Sequence, residues 1–107
     1  LMARVPGFDG DDAELMKVGR HSWNGSTLIV LGRRHAENLR LQELALPSDL
    51  LLRERDVPGP LALLRAYPRG ASPNRRDVKE AARLMGLYGK GKRPLSPDQV
   101  EEIRPTH

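Results

Sequence analysis

The sequence predicts a single small domain that combines strands with helices, and three stretches carry that expectation. Residues 26–31 read STLIVL, a short β-branched and aliphatic run of strand type. Residues 49–55 and 61–66 are two apolar runs, each open to a helical reading by itself, separated by a constrained turn, Val57-Pro58-Gly59-Pro60, whose prolines forbid one continuous helix through both. Residues 75–88 place Val78, Ala81, Ala82, Met85 and Tyr88 at i, i+3, i+4, i+7 and i+10, the apolar stripe of an amphipathic helix. A chain of 107 residues has the length of one domain and room for one modest core.

Taken in order, residues 1–24 are scattered with glycines and acids and show no sustained period. They read as an acidic, Gly-rich leader or lid rather than core, with the domain proper spanning 25–107. Asn24-Gly25 is a turn signal before the first strand, and Gly32 ends that strand. From Arg33 to about Ala45 the residues are good helix formers, with Ala36, Leu39 and Leu44 turned to the core. Pro47 stops this helix and Ser48-Asp49 makes the corner into the hairpin. Residues 67–74, YPRGASPN, are a loop, and Asn74 or Ser72 caps the 75–88 helix. Gly89 occupies the place of a C′ glycine, with Lys90 and Lys92 at the negative end of the helix dipole. Ser96-Pro97-Asp98-Gln99 is a capping box that opens a helix; alternatively Val100 and Ile103 close a final strand.

Composition narrows the function classes. There is no cysteine, which excludes a disulfide scaffold and Cys-ligated zinc or iron–sulfur sites. No apolar run approaches the ~20 residues of a membrane span, and no signal peptide is visible, so the cytoplasm is the default compartment. The chain opens on Leu1, which suggests a piece of something larger. Net charge is +4, unevenly spread: residues 1–14 hold one base and four acids, and residues 15–107 hold 17 bases and 10 acids. Arginine supplies 14 of the 18 bases, and its planar fork suits phosphate and stacking better than lysine does. Such a surplus points to a polyanion partner; a generally Arg-rich proteome is the competing explanation.

Catalytic and cofactor chemistry find no support in the residue pattern, and none is expected. His21, His35 and His107 lie in unrelated contexts without metal-ligand spacing, and no phosphate-binding Gly loop or nucleophile–base arrangement occurs. Basic clusters are the stronger signal. Arg76, Lys79 and Arg83 share a helix face, with Lys90 one heptad step on. Arg53 and Arg55 alternate with Glu54, so in a strand they point the same way. Arg33-Arg34 and Arg75-Arg76 stand near helix N-termini, where backbone N–H groups favour phosphate. The nucleic-acid-binding candidates are therefore Arg33, Arg34, Arg53, Arg55, Arg76, Lys79, Arg83, Lys90 and Lys92. A solvated charged face, with Asp77 and Glu80 neutralising part of it, is the plainer reading of any one cluster.

At LGRRHAEN and DLLLRERDVPG the sequence resembles the NFACT-R domain, the RNA-binding domain of the NFACT proteins of ribosome-associated quality control, also known in bacteria as fibronectin-binding-protein-A-like proteins. The resemblance rests on Gly32, Arg33, Asn38 and Asp49, then Asp56, Val57, Pro58 and Gly59, then an Ala81-Ala82 helix ending in Tyr88-Gly89-Lys90, in order over about residues 25–104. This chain has Leu51 and Arg53 where the family carries an aromatic and a histidine, and Pro60-Leu61 where it carries Ser-His. Pro60 has no N–H, so a Val57-to-Pro60 turn cannot close its i→i+3 hydrogen bond.

The resemblance implies an α+β domain with a mixed or antiparallel sheet of about four to five strands and two main helices. It implies a noncatalytic module that binds RNA, namely tRNA or the large ribosomal subunit, in concert with the remaining NFACT domains and apart from any membrane. The leucines of 50–52 then anchor the hairpin, Arg53 and Arg55 face phosphate, and Glu54 and Asp56 pair with neighbouring basic residues or tune specificity. With one Trp, two Tyr and one Phe, stacking platforms are scarce, and shape and backbone recognition is expected. The alternatives are a protein-interaction scaffold and a general nucleic-acid binder that also takes DNA, with a small hydrolase a remote third.

Overall fold

The computed structural model describes residues 10–68 and 70–104. The elements run α1 (Gly10–Leu15), β1 (Arg20–Asn24), β2 (Thr27–Leu31), α2 (His35–Leu44), β3 (Leu50–Glu54), β4 (Ala62–Ala66), α3 (Arg75–Tyr88) and β5 (Val100–Ile103). All five strands join one antiparallel sheet in the order β1-β2-β4-β3-β5. The fold is thus α+β with an antiparallel sheet, as the sequence leads one to expect.

Helices cover both faces of this sheet, which explains why β2 and β4 are buried at every residue. Side chains alternate along the strands. Leu28, Val30, Leu51 and Leu63 face one way, where they meet Leu15 of α1 and Leu41 of α2. Ile29, Leu31, Leu52 and Leu64 face the other way and pack on Ala81, Ala82, Leu84 and Met85 of α3. The two alanines let α3 lie close on the sheet. The hairpin reading of 49–66 holds: Leu51 stands opposite Leu63, and Leu52 opposite Ala62.

Two anchors tie the layers together. Asn74 accepts from the Asp77 backbone N–H at 3.0 Å while the Asp77 carboxylate accepts from the Asn74 N–H at 2.9 Å, a capping box that starts α3. The same carboxylate, buried, accepts from the Thr27 hydroxyl at 2.8 Å and the Asn24 amide at 2.8 Å. Asp77 therefore pins α3 to the β1–β2 hairpin instead of neutralising a surface. On the opposite face, Asp49 accepts from the Leu46 N–H at 2.8 Å and grips the buried Arg65.

Several sequence expectations need correction. Residues 10–24 are built into the fold: Leu15 is fully buried, and β1 forms an edge strand along all of β2. Residues 1–9 of the proposed leader lie outside the described residues. In α2 the core side chains are Leu41, Leu44 and Ala45, at i, i+3 and i+4, while Ala36 and Leu39 face solvent. Tyr88 is 51% exposed because the α3 stripe outruns the sheet beneath it. Gly89 is extended, with φ −89° and ψ −176°, instead of left-handed. Its small size still matters, since a Cβ there would stand 2.9 Å from the Met85 carbonyl oxygen. The tail satisfies both alternatives in sequence: a 3₁₀ turn at Pro97–Gln99, capped by Ser96, leads straight into β5.

Candidate nucleic-acid interface

Three loops meet at one end of the sheet and border an open recess of about 540 Å³. Its walls come from residues 32–35 after β2, from the 58–60 turn between β3 and β4, and from residues 88–92 after α3, with Arg20 of β1 alongside. Antiparallel pairing sets this geometry. Arg20 stands opposite Leu31, so the start of β1 lies beside the Gly32-Arg33-Arg34 loop.

Asn38 fixes the shape of the recess. Its side-chain oxygen accepts from the Leu61 N–H at 3.1 Å, its amide donates to the Gly59 carbonyl at 3.5 Å, and the Gly32 N–H donates to the Leu61 carbonyl at 3.0 Å. A Cβ on Gly32 would collide with the Asn38 side-chain oxygen, so only glycine admits this contact. Gly32 and Asn38 thus do scaffolding work, holding the 58–60 turn against α2. Pro60 leaves that turn without its own closing bond, and Asn38 supplies the missing restraint.

The lining is cationic. Arg20, Arg33, Arg34, Lys90 and Lys92 line the recess beside His35, and among the described residues no aspartate or glutamate does. Arg33 is matched by Glu37: its Nε and Nη2 donate to that carboxylate at 3.2 and 3.0 Å. The Arg33 side chain and backbone N–H, helped by the Gly19 backbone, hold the Glu37 carboxyl down to about 2. Arg34, Lys90 and Lys92 have no carboxylate partner among the described residues. Arg34 is also the N-cap of α2, and no side chain caps the first turn there. The Arg20 guanidinium lies 4.2 Å from the centroid of the exposed Tyr88 ring, a cation–π contact.

Of the candidate residues, Arg33, Arg34, Lys90 and Lys92 converge here. Arg53 and Arg55 line a neighbouring recess beyond Pro58-Gly59, and both turn to the same side. They meet Glu101 of β5, not Glu54 or Asp56. Arg53 Nε donates to Glu101 at 2.6 Å, Arg55 lies 3.7 Å from it, and Arg55 Nε donates to the Asp98 carbonyl at 2.9 Å. Arg83 is engaged by Glu80 at 2.7 Å, which holds the Glu80 carboxyl below its usual range. Arg76 is about 18 Å from Tyr88 along α3, by helix rise alone, and with Lys79 it lines none of these recesses. The sequence reading missed Arg20, His35 and Tyr88. Their proximity depends on β1 pairing with β2 across a segment that shows no period.

Among the motif residues, Asp49 is structural: its side chain is 1% exposed and bound to Arg65. Pro58 and Gly59 form the wall between the two recesses. Asp56 is exposed and lines only the second.

The chain matches the family model for the NFACT protein RNA binding domain over residues 19–101. In fold it is similar to the C-terminal region of the fibronectin/fibrinogen-binding protein from Streptococcus suis, with a TM-score of 0.56 at 16% identity. That likeness covers 78% of this chain and 43% of the other. No curated protein matches it. With a basic cleft at one end of an α+β sheet and a family match over most of its length, the chain belongs to the NFACT RNA-binding-domain family.

Proposed function

We propose that this chain binds structured RNA of the translation apparatus, tRNA or large-subunit rRNA, through the cleft between the 32–35 and 88–92 segments. The observation that carries this reading is the concentration around one recess of Arg34, Lys90 and Lys92, without carboxylate partners among the described residues, in a member of an RNA-binding family. The role is binding without chemistry, and in a longer NFACT protein it works alongside the other domains. Unmatched cations near a helix N-terminus are what phosphate requires. The adjoining Arg53–Arg55 recess is a secondary contact, because Glu101 already offsets its charge.

The test is a titration of tRNA, rRNA fragments and DNA at two salt concentrations with the wild-type chain and the Arg34→Glu/Lys92→Glu variant. Both positions are exposed, so the variant folds. RNA binding at low salt that the variant loses supports the reading. Undiminished binding by the variant overturns the cleft. Failure to bind any nucleic acid leaves a protein-interaction scaffold as the better account, and equal binding of DNA and RNA makes the chain a general nucleic-acid binder.

A further inference from the structure

We infer that the cleft receives one unpaired nucleotide, its base laid against the Arg20–Tyr88 pair, with Arg34, Lys90 and Lys92 holding its phosphate and those on either side. The inference rests on the RNA-binding reading and narrows it: the feature bound is a single-stranded segment, not the outside of a paired helix.

Shape is the first ground. A paired A-form helix keeps its bases inside and meets proteins through backbone and minor groove. A volume of about 540 Å³ lies within the ~300–1,000 Å³ of sites that enclose a small ligand. Glycines at 32, 59 and 89 keep side chains out of its walls.

The second ground is the aromatic ring. Tyr88 is half-exposed and lines the recess beside its cationic side chains, and Arg20 lies against it at 4.2 Å. Both members of the pair are planar groups on which a base stacks. Burial elsewhere does not explain the exposed ring, since the α3 core ends at Met85. The third ground is that the phosphate-binding groups line the same recess, so one nucleotide engages both. Backbone recognition alone, the expectation from aromatic scarcity, leaves this ring unused.

The test is a fluorescence-anisotropy titration of the whole chain with a short unstructured RNA strand and with the blunt duplex that strand forms with its complement. Wild type, Tyr88→Ala, Tyr88→Phe and Arg34→Glu/Lys92→Glu are compared. The single strand is expected to bind at least about tenfold tighter than the duplex. Tyr88→Ala weakens it about 5- to 150-fold, the span of one lost stack, while Tyr88→Phe stays within about twofold. Equal binding of strand and duplex, or a single-strand affinity untouched by Tyr88→Ala, overturns the inference. If the charge-reversed variant still loses binding in that case, the RNA-binding reading survives. No binding of either RNA by wild type overturns both.

Discussion

The Arg65 guanidinium lies against the Asp49 carboxylate beneath α2, with Nη2 2.7 Å from Oδ2 and Nε 3.1 Å from both oxygens. The two side chains are 5% and 1% exposed, and Arg65 also donates to the Leu44 carbonyl at 3.0 Å. The pair joins the end of α2, the start of β3 and the end of β4. One arginine of a basic chain is thereby committed to architecture.

Asp49→Ala removes the carboxylate that neutralises a buried guanidinium and is expected to cost about 3–5 kcal/mol, a large share of the ~5–15 kcal/mol typical of a domain. Urea denaturation measures it. A loss below about 1 kcal/mol would show that Arg65 finds another partner or water.

Asp77 is the corresponding anchor on the other face. Asp77→Ala removes the carboxylate's half of the capping box, the bond from the Asn74 N–H, about 1 kcal/mol, and leaves the Thr27 hydroxyl without its carboxylate, about 1–3 kcal/mol more. A total of about 2–4 kcal/mol is expected in the same measurement. Asp77→Asn retains one acceptor and loses less.

Glu37 makes stability depend on pH in a defined direction. Its carboxyl falls from 4.5 to about 2 through the Arg33 side-chain bond, then the Arg33 and Gly19 backbone groups. The folded form binds its proton less readily than the unfolded chain. The stabilisation is therefore complete above pH 4.5 and lost as pH falls towards 2. Glu37→Gln should flatten part of the decline in urea midpoint between those values. An identical decline in the variant would place the acid sensitivity elsewhere, with Glu14 and Glu80 as the other lowered carboxyls among the described residues.

Much of the fold was legible because local rules and tertiary packing agree. The 75–88 helix begins and ends at the residues its stripe and cap indicate, since Asn74 and Asp77 sit three apart as a capping box demands. The runs of 27–31 and 62–66 lack alternation because helices bury both faces; β-branched and aliphatic composition still marked the first as a strand, whereas the second stayed open to a helical reading that its pairing with β2 and β3 excludes. Leu39 misled because it and Leu41 lie on different sides of α2, and only packing against Leu15 and Val18 selects Leu41. The site was half legible. Arg33, Arg34, Lys90 and Lys92 stood out as loop or helix-end cations, yet Arg20 and Tyr88 are 68 positions apart and meet only in the folded chain. The pairing of Arg53 and Arg55 with Glu101 depends on β3 and β5 being neighbours, which no local pattern announces.

That pairing yields a contrast among the basic clusters. Arg53→Gln/Arg55→Gln disrupts exposed ion pairs and should change stability by no more than about 1 kcal/mol, with a smaller loss of RNA affinity than Arg34→Gln/Lys92→Gln. Arg76→Gln/Lys79→Gln, at the far end of α3, should leave affinity within about twofold of wild type. The three double variants compared in one RNA titration settle the ranking. An effect at Arg76 and Lys79 exceeding that at Arg34 and Lys92 would move the interface to the α3 face.

The most direct measurement of the account is the salt dependence of single-stranded RNA binding by wild type and Arg34→Ala/Lys92→Ala. Phosphate contacts by Arg34, Lys90 and Lys92 give a log–log slope of about −2, at about −0.7 per phosphate. Removal of two of them brings it to about −0.7. A wild-type slope near zero, or one that the two substitutions leave unchanged, would contradict a cationic cleft as the seat of binding.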